Sequence, residues 1–252
     1  MNKISYYFSQ ACLSIISLIA FNASAADLYI YAGAGLREPV QHIVDNFQQQ
    51  TGHNVIVEYG GSGQILTRYK IIGQGDLFIA GSEYYVTKLI QDDLVISSTK
   101  LARHIPVIAI RKDKIGHIHS VKDFAASDLR LGLGDNKAMA LGRSSEKLLA
   151  ATGHYNALMD KVVVRAATVK QLTMYLLNGN VDAAVIGRAS AWKARKELVI
   201  LQNPDGSPEE IVTMALLKSS QHTDIAKQLM KKLSSLDGVY AFSNAGFLPL
   251  AP

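Results

Sequence analysis

From residue 27 onward, the sequence alternates short runs rich in β-branched and aromatic residues with amphipathic helical runs. The first strand-type run, Asp27–Ala32, is followed by a helical run, Arg37–Gln50, in which Val40, Ile43 and Phe47 recur at helical spacing. An alternating order of this kind predicts parallel strands joined by right-handed helical crossovers. We therefore expect an α/β fold.

The strand and helix signals fall into two groups, which predicts two lobes. In the first group, strands and helices alternate at Asp27–Ala32, Arg37–Gln50, Asn54–Tyr59, Gln64–Ile72, Asp76–Ala80 and Ser82–Ile90. The second group has strands at Ile105–Ile110, Leu129–Gly134, Lys161–Arg165, Val181–Ile186 and Leu198–Leu201, with helices at Val121–Ala126, Met139–Ala151 and Val169–Leu177.

The tail after residue 208 contains one predicted strand, Ile211–Leu217, and two predicted helices near Thr223–Leu236 and Val239–Asn244. These elements are too few for a separate core, so we expect them to complete the first lobe. Each lobe is expected to hold a mostly parallel sheet flanked by helices, with a ligand in the cleft between the lobes. The predicted division is residues 26–104 and 205–252 for the first lobe and residues 105–204 for the second.

The N-terminus has the pattern of an export signal. A positive charge at Lys3 precedes the apolar run Ala11–Phe21, and small residues follow up to Ala25. This run is shorter than the roughly 20 residues that a membrane-spanning helix needs. We therefore predict a cleaved signal peptide over residues 1–25 and a periplasmic location. The one cysteine, Cys12, lies inside this segment, so the mature chain would have no disulfide or cysteine site.

The charge balance favours a small anion over a nucleic acid as the ligand. The formal net charge is +5, which attracts anions at long range. The basic residues are scattered and are not interleaved with aromatic residues, so the sequence does not indicate a nucleic-acid partner.

Four predicted strand-to-helix turns are rich in small residues and offer helix N-termini to an anion. Unpaired amides and a partial positive charge at a helix N-terminus bind anions. Ser62 stands where a helix N-cap is expected, and its hydroxyl suits either a cap or a bound oxyanion. The turns lack the third glycine of a dinucleotide fingerprint and the Gly-Lys-Ser/Thr of a P-loop. They are residues 32–39, 59–64, 134–143 and 166–169.

Over nearly its whole predicted mature length, the chain resembles the molybdate-binding periplasmic proteins of ABC transporters. The resemblance lies in the segments YAGAGLREPVQHIVDNFQQQTGHNVIVEYGGSGQIL, GDLFIAGSE, LGLGDNKAMALGR and ATVKQLTMYLLNGNVDAAVIGRASA. It implies two α/β lobes joined by a hinge, with a tetrahedral oxyanion held by hydroxyls and backbone amides. It also implies a membrane permease and an ATPase as partners.

The same resemblance implies a set of ligand-binding residues. Ser62 matches a ligand serine of that family, Leu141 with Ala140 beside it matches an amide donor, and Val169 matches another. Two positions depart from the family pattern. Gly35 stands where the family usually has its first ligand serine, and Gly187 stands where many members have a tyrosine.

Other groups near these turns are candidates to replace the two missing hydroxyls. The amides of Gly35 and Leu36 are one choice, and Gly63 flanks Ser62. The guanidinium groups of Arg37, Arg143 and Arg188 are another, unless these side chains are solvated surface charges, as most arginines are.

The sequence contains no constellation of catalytic residues. Its seven histidines do not form a metal-ligand spacing, and Ser62 is not part of a GxSxG nucleophile elbow. We therefore expect a monomeric binding protein without catalytic residues, resident metal or cofactor. Molybdate or tungstate is the first expectation for the ligand, with sulfate, chromate or phosphate as alternatives. A non-transport sensor or colonisation accessory with the same fold stays open.

Overall fold

The structure is a computed structural model that describes residues 26–250. The predicted signal peptide and Cys12 lie outside the described residues. Within residues 26–250, no helix combines the length and the apolar character that crossing a membrane would require.

Two five-stranded mixed sheets form the frame of the molecule. In the first, the strand order is β2-β1-β3-β10-β4, and β10 runs antiparallel to both of its neighbours. In the second, the order is β7-β6-β8-β5-β9, and β5 runs antiparallel to both of its neighbours. The remaining pairs are parallel, so each sheet has a single reversed strand. The strands are β1 (Asp27–Gly33), β2 (Asn54–Gly60), β3 (Leu77–Ala80), β4 (Val95–His104), β5 (Pro106–Arg111), β6 (Leu131–Gly134), β7 (Val162–Ala166), β8 (Ala183–Gly187), β9 (Leu198–Ile200) and β10 (Glu210–Leu217).

Helices cover both faces of each sheet. Beside the first sheet lie α1 (Arg37–Thr51), α2 (Ser62–Ile72), α3 (Glu83–Gln91), α9 (Thr223–Leu233) and α10 (Leu236–Asn244). Beside the second lie α4 (Val121–Ala126), α5 (Ala140–Ala151), α6 (Tyr155–Met159), α7 (Val169–Leu177) and α8 (Arg188–Lys193). Short 3-10 helices occupy Ala34–Leu36 and Lys112–Lys114. The α/β architecture expected from the alternating sequence is confirmed.

Alternation along the strands of the first sheet explains why both of its faces are covered. Ile30 packs with α1 in one apolar cluster, whereas the next residue, Tyr31, packs with α2 and α3 in another. Leu77 likewise packs in the first of these clusters and Phe78 in the second. Successive side chains of a strand point to opposite faces, so a strand that is buried throughout needs helices on both sides.

The longest strand, β4, was not among the predicted elements. Its first half, which includes Ser97, Ser98 and Lys100, is polar and mostly exposed, so it lacks the pattern of a buried strand. Pairing with β10 along almost its whole length holds it in the sheet instead. Helices α6 and α8 were also not predicted, because each is too short to show a helical period.

The chain passes between the two sheets twice. The first passage is the single residue Ile105 between β4 and β5, and the second is residues 201–209 between β9 and β10. Since β10 lies between β3 and β4, the tail of the chain does pack in the first sheet. We accordingly propose residues 26–104 and 205–252 as the first lobe and residues 105–204 as the second.

The two lobes touch through both backbone and side-chain groups. The Gly63 amide of α2 donates a hydrogen bond of 3.0 Å to the Ala138 carbonyl oxygen of the second lobe. The Tyr85 hydroxyl of α3 donates to the Met139 carbonyl oxygen at 3.2 Å. On the other side of the cleft, Lys193 of α8 forms an ion pair with Glu38 of α1. These contacts hold the cleft in a closed arrangement.

Candidate anion-binding site

A small cavity lies between the lobes, where the strands of both sheets lead into helices. Its volume is about 20 Å³, enough for about one water-sized molecule. No charged side chain is among the described residues that line it. The lining residues are Gly33, Ala34, Gly35, Leu36, Gly60, Gly61, Ser62, Gly81, His104, Met139, Ala140 and Val169.

Glycine at position 61 allows the two lobes to approach each other this closely. A Cβ atom on Gly61 would lie 2.4 Å from the carbonyl oxygens of Ala138 and Ala167 of the second lobe. Gly61 also holds the N-cap position of α2, so Ser62 is the first residue of that helix and not its cap, contrary to the sequence prediction. The cap amide of Gly61 is satisfied by the side-chain oxygen of Gln64 at 2.9 Å.

Three helices begin at this cavity and bring free amides to it. The amides of Ser62 at the start of α2, Ala140 at the start of α5 and Val169 at the start of α7 have no hydrogen-bond acceptor among the described residues. The first amides of a helix have no partner within the helix and carry its partial positive charge. Their convergence makes the cavity a suitable environment for an anion.

The hydroxyl of Ser62 keeps its hydrogen available for donation. Its side chain is only 2% exposed, and its oxygen accepts a hydrogen bond from the Gly81 amide at 3.4 Å. Because this contact uses the oxygen as an acceptor, the hydroxyl proton stays available for another group.

The imidazole of His104 also lines the cavity. It is 4% exposed, and its Nδ1 lies 3.1 Å from the carbonyl oxygen of Gly81. A carbonyl oxygen can only accept, so Nδ1 must carry the hydrogen. Burial lowers the pKa of His104 to about 4, and the ring is therefore neutral near pH 7.

The other ring nitrogen of His104 points toward the second lobe. Its Nε2 lies 2.6 Å from the position that a Cβ atom on Gly187 would occupy. Within residues 26–250, Nε2 has no hydrogen-bond partner. In the neutral ring with a hydrogen on Nδ1, this nitrogen is an acceptor. The peptide groups of Gly81 thus set the roles of two side chains, leaving Ser62 as a donor and His104 as an acceptor.

The structure brings five of the predicted ligand residues to the lining of one cavity. The residues Gly35, Leu36, Ser62, Ala140 and Val169 all line the cavity. A Cβ atom on Gly35 would lie 3.5 Å from the Cβ of Val169, so these residues face each other across the lobes.

Three further predicted residues lie beside the cavity. Leu141 follows Ala140 in α5, and its buried side chain packs toward Gly187. The Gly63 amide is already bonded to Ala138. At Gly187, the space for a larger side chain is occupied by the imidazole of His104.

The arginines do not point into the cavity. The guanidinium of Arg37 lies 4.0 Å from the ring centre of Tyr59, and that of Arg143 lies 3.6 Å from the ring centre of Tyr84. Arg188 donates to the Gly246 carbonyl oxygen at 3.0 Å. Each guanidinium is therefore engaged outside the lining of the cavity.

The sequence reasoning missed His104 as a site residue. It treated the seven histidines only as possible metal ligands, and in the described part of the chain no three His, Cys, Asp or Glu residues are grouped to hold a metal. One signal was present in the sequence, since His104 is the last residue before the predicted passage between the two lobes.

The fold and the cavity define a two-lobed solute-binding protein. Residues 28–248 match the family described as bacterial extracellular solute-binding proteins, and the chain belongs to this family. A protein of Haemophilus influenzae named "Putative binding protein" is 55% identical over 232 residues, which cover 92% of this chain and 95% of the relative. The family consists of proteins that bind solutes, and the chain is accordingly not an enzyme.

Two solved structures share the fold. The periplasmic molybdate-binding protein of Azotobacter vinelandii has a TM-score of 0.75 and 19% identity, covering 89% of this chain and 99% of that one. The sulfate-binding protein SubI of Mycobacterium tuberculosis has a TM-score of 0.78 and 16% identity, covering 90% and 88%. The resemblance to molybdate-binding proteins of ABC transporters is confirmed at the level of family and fold.

The buried imidazole makes the stability of the ligand-free protein depend on pH. The pKa of His104 is lowered from 6.5 to about 4 in the folded state, so the unfolded chain binds the extra proton first. The stabilisation from the neutral ring is complete above pH 6.5 and is lost as the pH falls toward 4. We expect the free energy of unfolding to drop by about 2 kcal/mol more between pH 7 and pH 5 than in His104→Asn.

Urea unfolding at the two pH values measures this difference. The variant keeps an amide that reaches the position of Nδ1 but cannot titrate. Equal pH dependence in the two proteins would contradict the assignment of a buried neutral ring.

Proposed function

We propose that the protein is a periplasmic binding component of an ABC importer and captures molybdate or tungstate between its lobes. The observation that supports this most directly is the convergence of three helix N-termini and the Ser62 hydroxyl on a cavity without charged lining. A permease and an ATPase in the membrane are the partners that such a role requires.

A lining without charged side chains suits the capture of an oxyanion. Amide and hydroxyl dipoles stabilise the negative charge when it is bound. They also avoid the cost of burying an unpaired cation while the site is empty. Ligand choice then depends on the size of the cavity and the number of donors.

The cavity lies between the lobes, beside contacts that cross the cleft. Entry of an ion therefore requires the lobes to separate. The Gly63–Ala138 hydrogen bond and the Tyr85 contact with Met139 cross the cleft, and these contacts would lengthen. Proteins of two packed lobes accommodate such changes by rotation about the connecting segments.

Sulfate, chromate and phosphate are the alternative ligands, since they share the tetrahedral shape and negative charge. A sensor or colonisation accessory would use the same cavity without a transporter.

A thermal-shift screen of the mature protein with molybdate, tungstate, chromate, sulfate and phosphate tests the proposal. We expect molybdate or tungstate to raise the melting temperature most. A ligand that binds only the folded state stabilises it by about 2.7 kcal/mol at 100 times its Kd, so the anion that binds most tightly gives the largest shift at equal concentration. No shift with any of the five anions would refute oxyanion capture.

The contribution of Ser62 can be measured by substitution. Ser62→Ala removes a donor to a charged ligand, which is worth roughly 1.5–3 kcal/mol, so we expect oxyanion binding to weaken roughly 10- to 150-fold in calorimetry. The control is Ser243→Ala, which alters an exposed serine of α10 and should bind like the unchanged protein. An unchanged Kd for Ser62→Ala, with folding verified by circular dichroism, would exclude the hydroxyl from the site.

Gly35 allows the converse experiment. A side chain at this position would meet Val169 at an ordinary contact distance of 3.5 Å, so Gly35→Ser can be accommodated in the turn. The added hydroxyl is expected to tighten oxyanion binding about tenfold or more. Gly35→Ala adds the same Cβ without the hydroxyl and should bring no gain. If both variants weaken binding equally, the side chain obstructs the ion and does not bind it.

A further inference from the structure

His104 lines the cavity, and the Nε2 atom of its ring lies beside Gly187 of the second lobe. Its Nδ1 donates to the Gly81 carbonyl oxygen, so the neutral ring has only an acceptor left at Nε2. The side chain is 4% exposed, and no hydrogen bond joins Nε2 to residues 26–250. In that range the fully buried unpaired side-chain atom is Asn203 Oδ1, so Nε2 retains accessible surface. The unpaired amides of Ser62, Ala140 and Val169, in contrast, are donors.

A lone pair on Nε2 is unfavourable next to the oxygen of a fully ionised oxyanion. Both atoms carry negative partial charge, and both are acceptors. One proton placed between them converts the repulsion into a charge-assisted hydrogen bond. In a cavity that excludes water, this difference is larger than in solution because the local dielectric constant is low.

We propose that His104 is a ligand-binding residue that holds the oxyanion through one shared proton between Nε2 and an anion oxygen. This inference rests on the proposed function, since it requires an oxyanion in the cavity. The proton comes from solvent with the ion or is taken up by the ring when the ion enters. Both routes give the same complex, which contains one proton more than the ionised anion and the neutral ring.

The charged side chains around His104 do not supply an alternative partner. The elements packed against the ring are the turn after β3, strands β4 and β10, the starts of α5 and α8, and the segment containing Phe247, whose ring centre lies 5.2 Å away. Charged groups on these elements are engaged elsewhere: Arg103 with Glu209, Lys100 with Glu83, Glu210 with Ser82, Arg143 with the ring of Tyr84, and Arg188 with Gly246.

The shared proton makes the basicity of the ligand a criterion for selection. Among tetrahedral oxyanions of similar size, those that accept a proton more readily gain more from Nε2. Sulfate is the least basic of the candidate anions and gains the least. His104 therefore discriminates against sulfate in a way that amides and hydroxyls alone do not.

Calorimetry with molybdate tests the inference directly. Titrations near pH 7 in buffers with different ionisation enthalpies measure the protons taken up on binding. We expect about one proton per molybdate, and a Kd that rises about tenfold per pH unit between roughly pH 6 and pH 8.

His104→Asn retains a donor near the position of Nδ1 and removes Nε2. Its proton uptake should fall to about zero and its Kd should become nearly independent of pH. The exposed His117→Asn serves as the control and should behave like the unchanged protein.

The outcomes separate the two proposals. Tight molybdate binding without proton uptake overturns the role of His104 and leaves oxyanion capture intact. Proton uptake that persists in His104→Asn also overturns it, because the proton then resides elsewhere. If the Asn variant does not fold, His104→Gln, which is also unable to titrate, replaces it with the same expected loss of uptake. If neither molybdate nor any other anion of the thermal-shift panel binds, the proposed function fails together with this inference.

Discussion

The close approach of bare backbone from two lobes is the constraint on which the rest of the structure depends. Gly61 lies so near the carbonyl oxygens of Ala138 and Ala167 that a single Cβ would prevent the approach. The absent side chain at Gly35 and the small side chain of Ala140 also let three helix N-termini meet within one small volume. A Cβ at Gly61 or Gly63 would collide with backbone of the second lobe, so a larger residue at either position would move the start of α2 away from the other two.

Much of this arrangement could be predicted from the sequence, because it is encoded locally. The helical period of Val40, Ile43 and Phe47 and the small residues around Ser62 specify their elements without reference to distant parts of the chain. The sequence predicted that Ser62 and Val169 would lie at one site, because ligands lie beyond the carboxyl ends of strands and because the family resemblance implied both residues.

Other features could not be predicted, because they depend on partners far away in the sequence. Strand β4 is held by β10, which lies more than a hundred residues later, and its own residues do not show a buried pattern. The role of His104 depends on the Gly81 carbonyl group and on the absence of a side chain at Gly187. The absence of a hydroxyl at Gly187 looked like a loss in the sequence, whereas the structure shows that an imidazole from the other lobe occupies that direction.

The passage from the first sheet to the second is only one residue long at Ile105, and His104 immediately precedes it. A rotation of one lobe relative to the other therefore turns the backbone within one peptide unit of the imidazole. A rotation about this passage would move the ring little and would move more distant contacts, such as Lys193 with Glu38, much further. The imidazole would then stay beside the cavity in both the open and the closed arrangement.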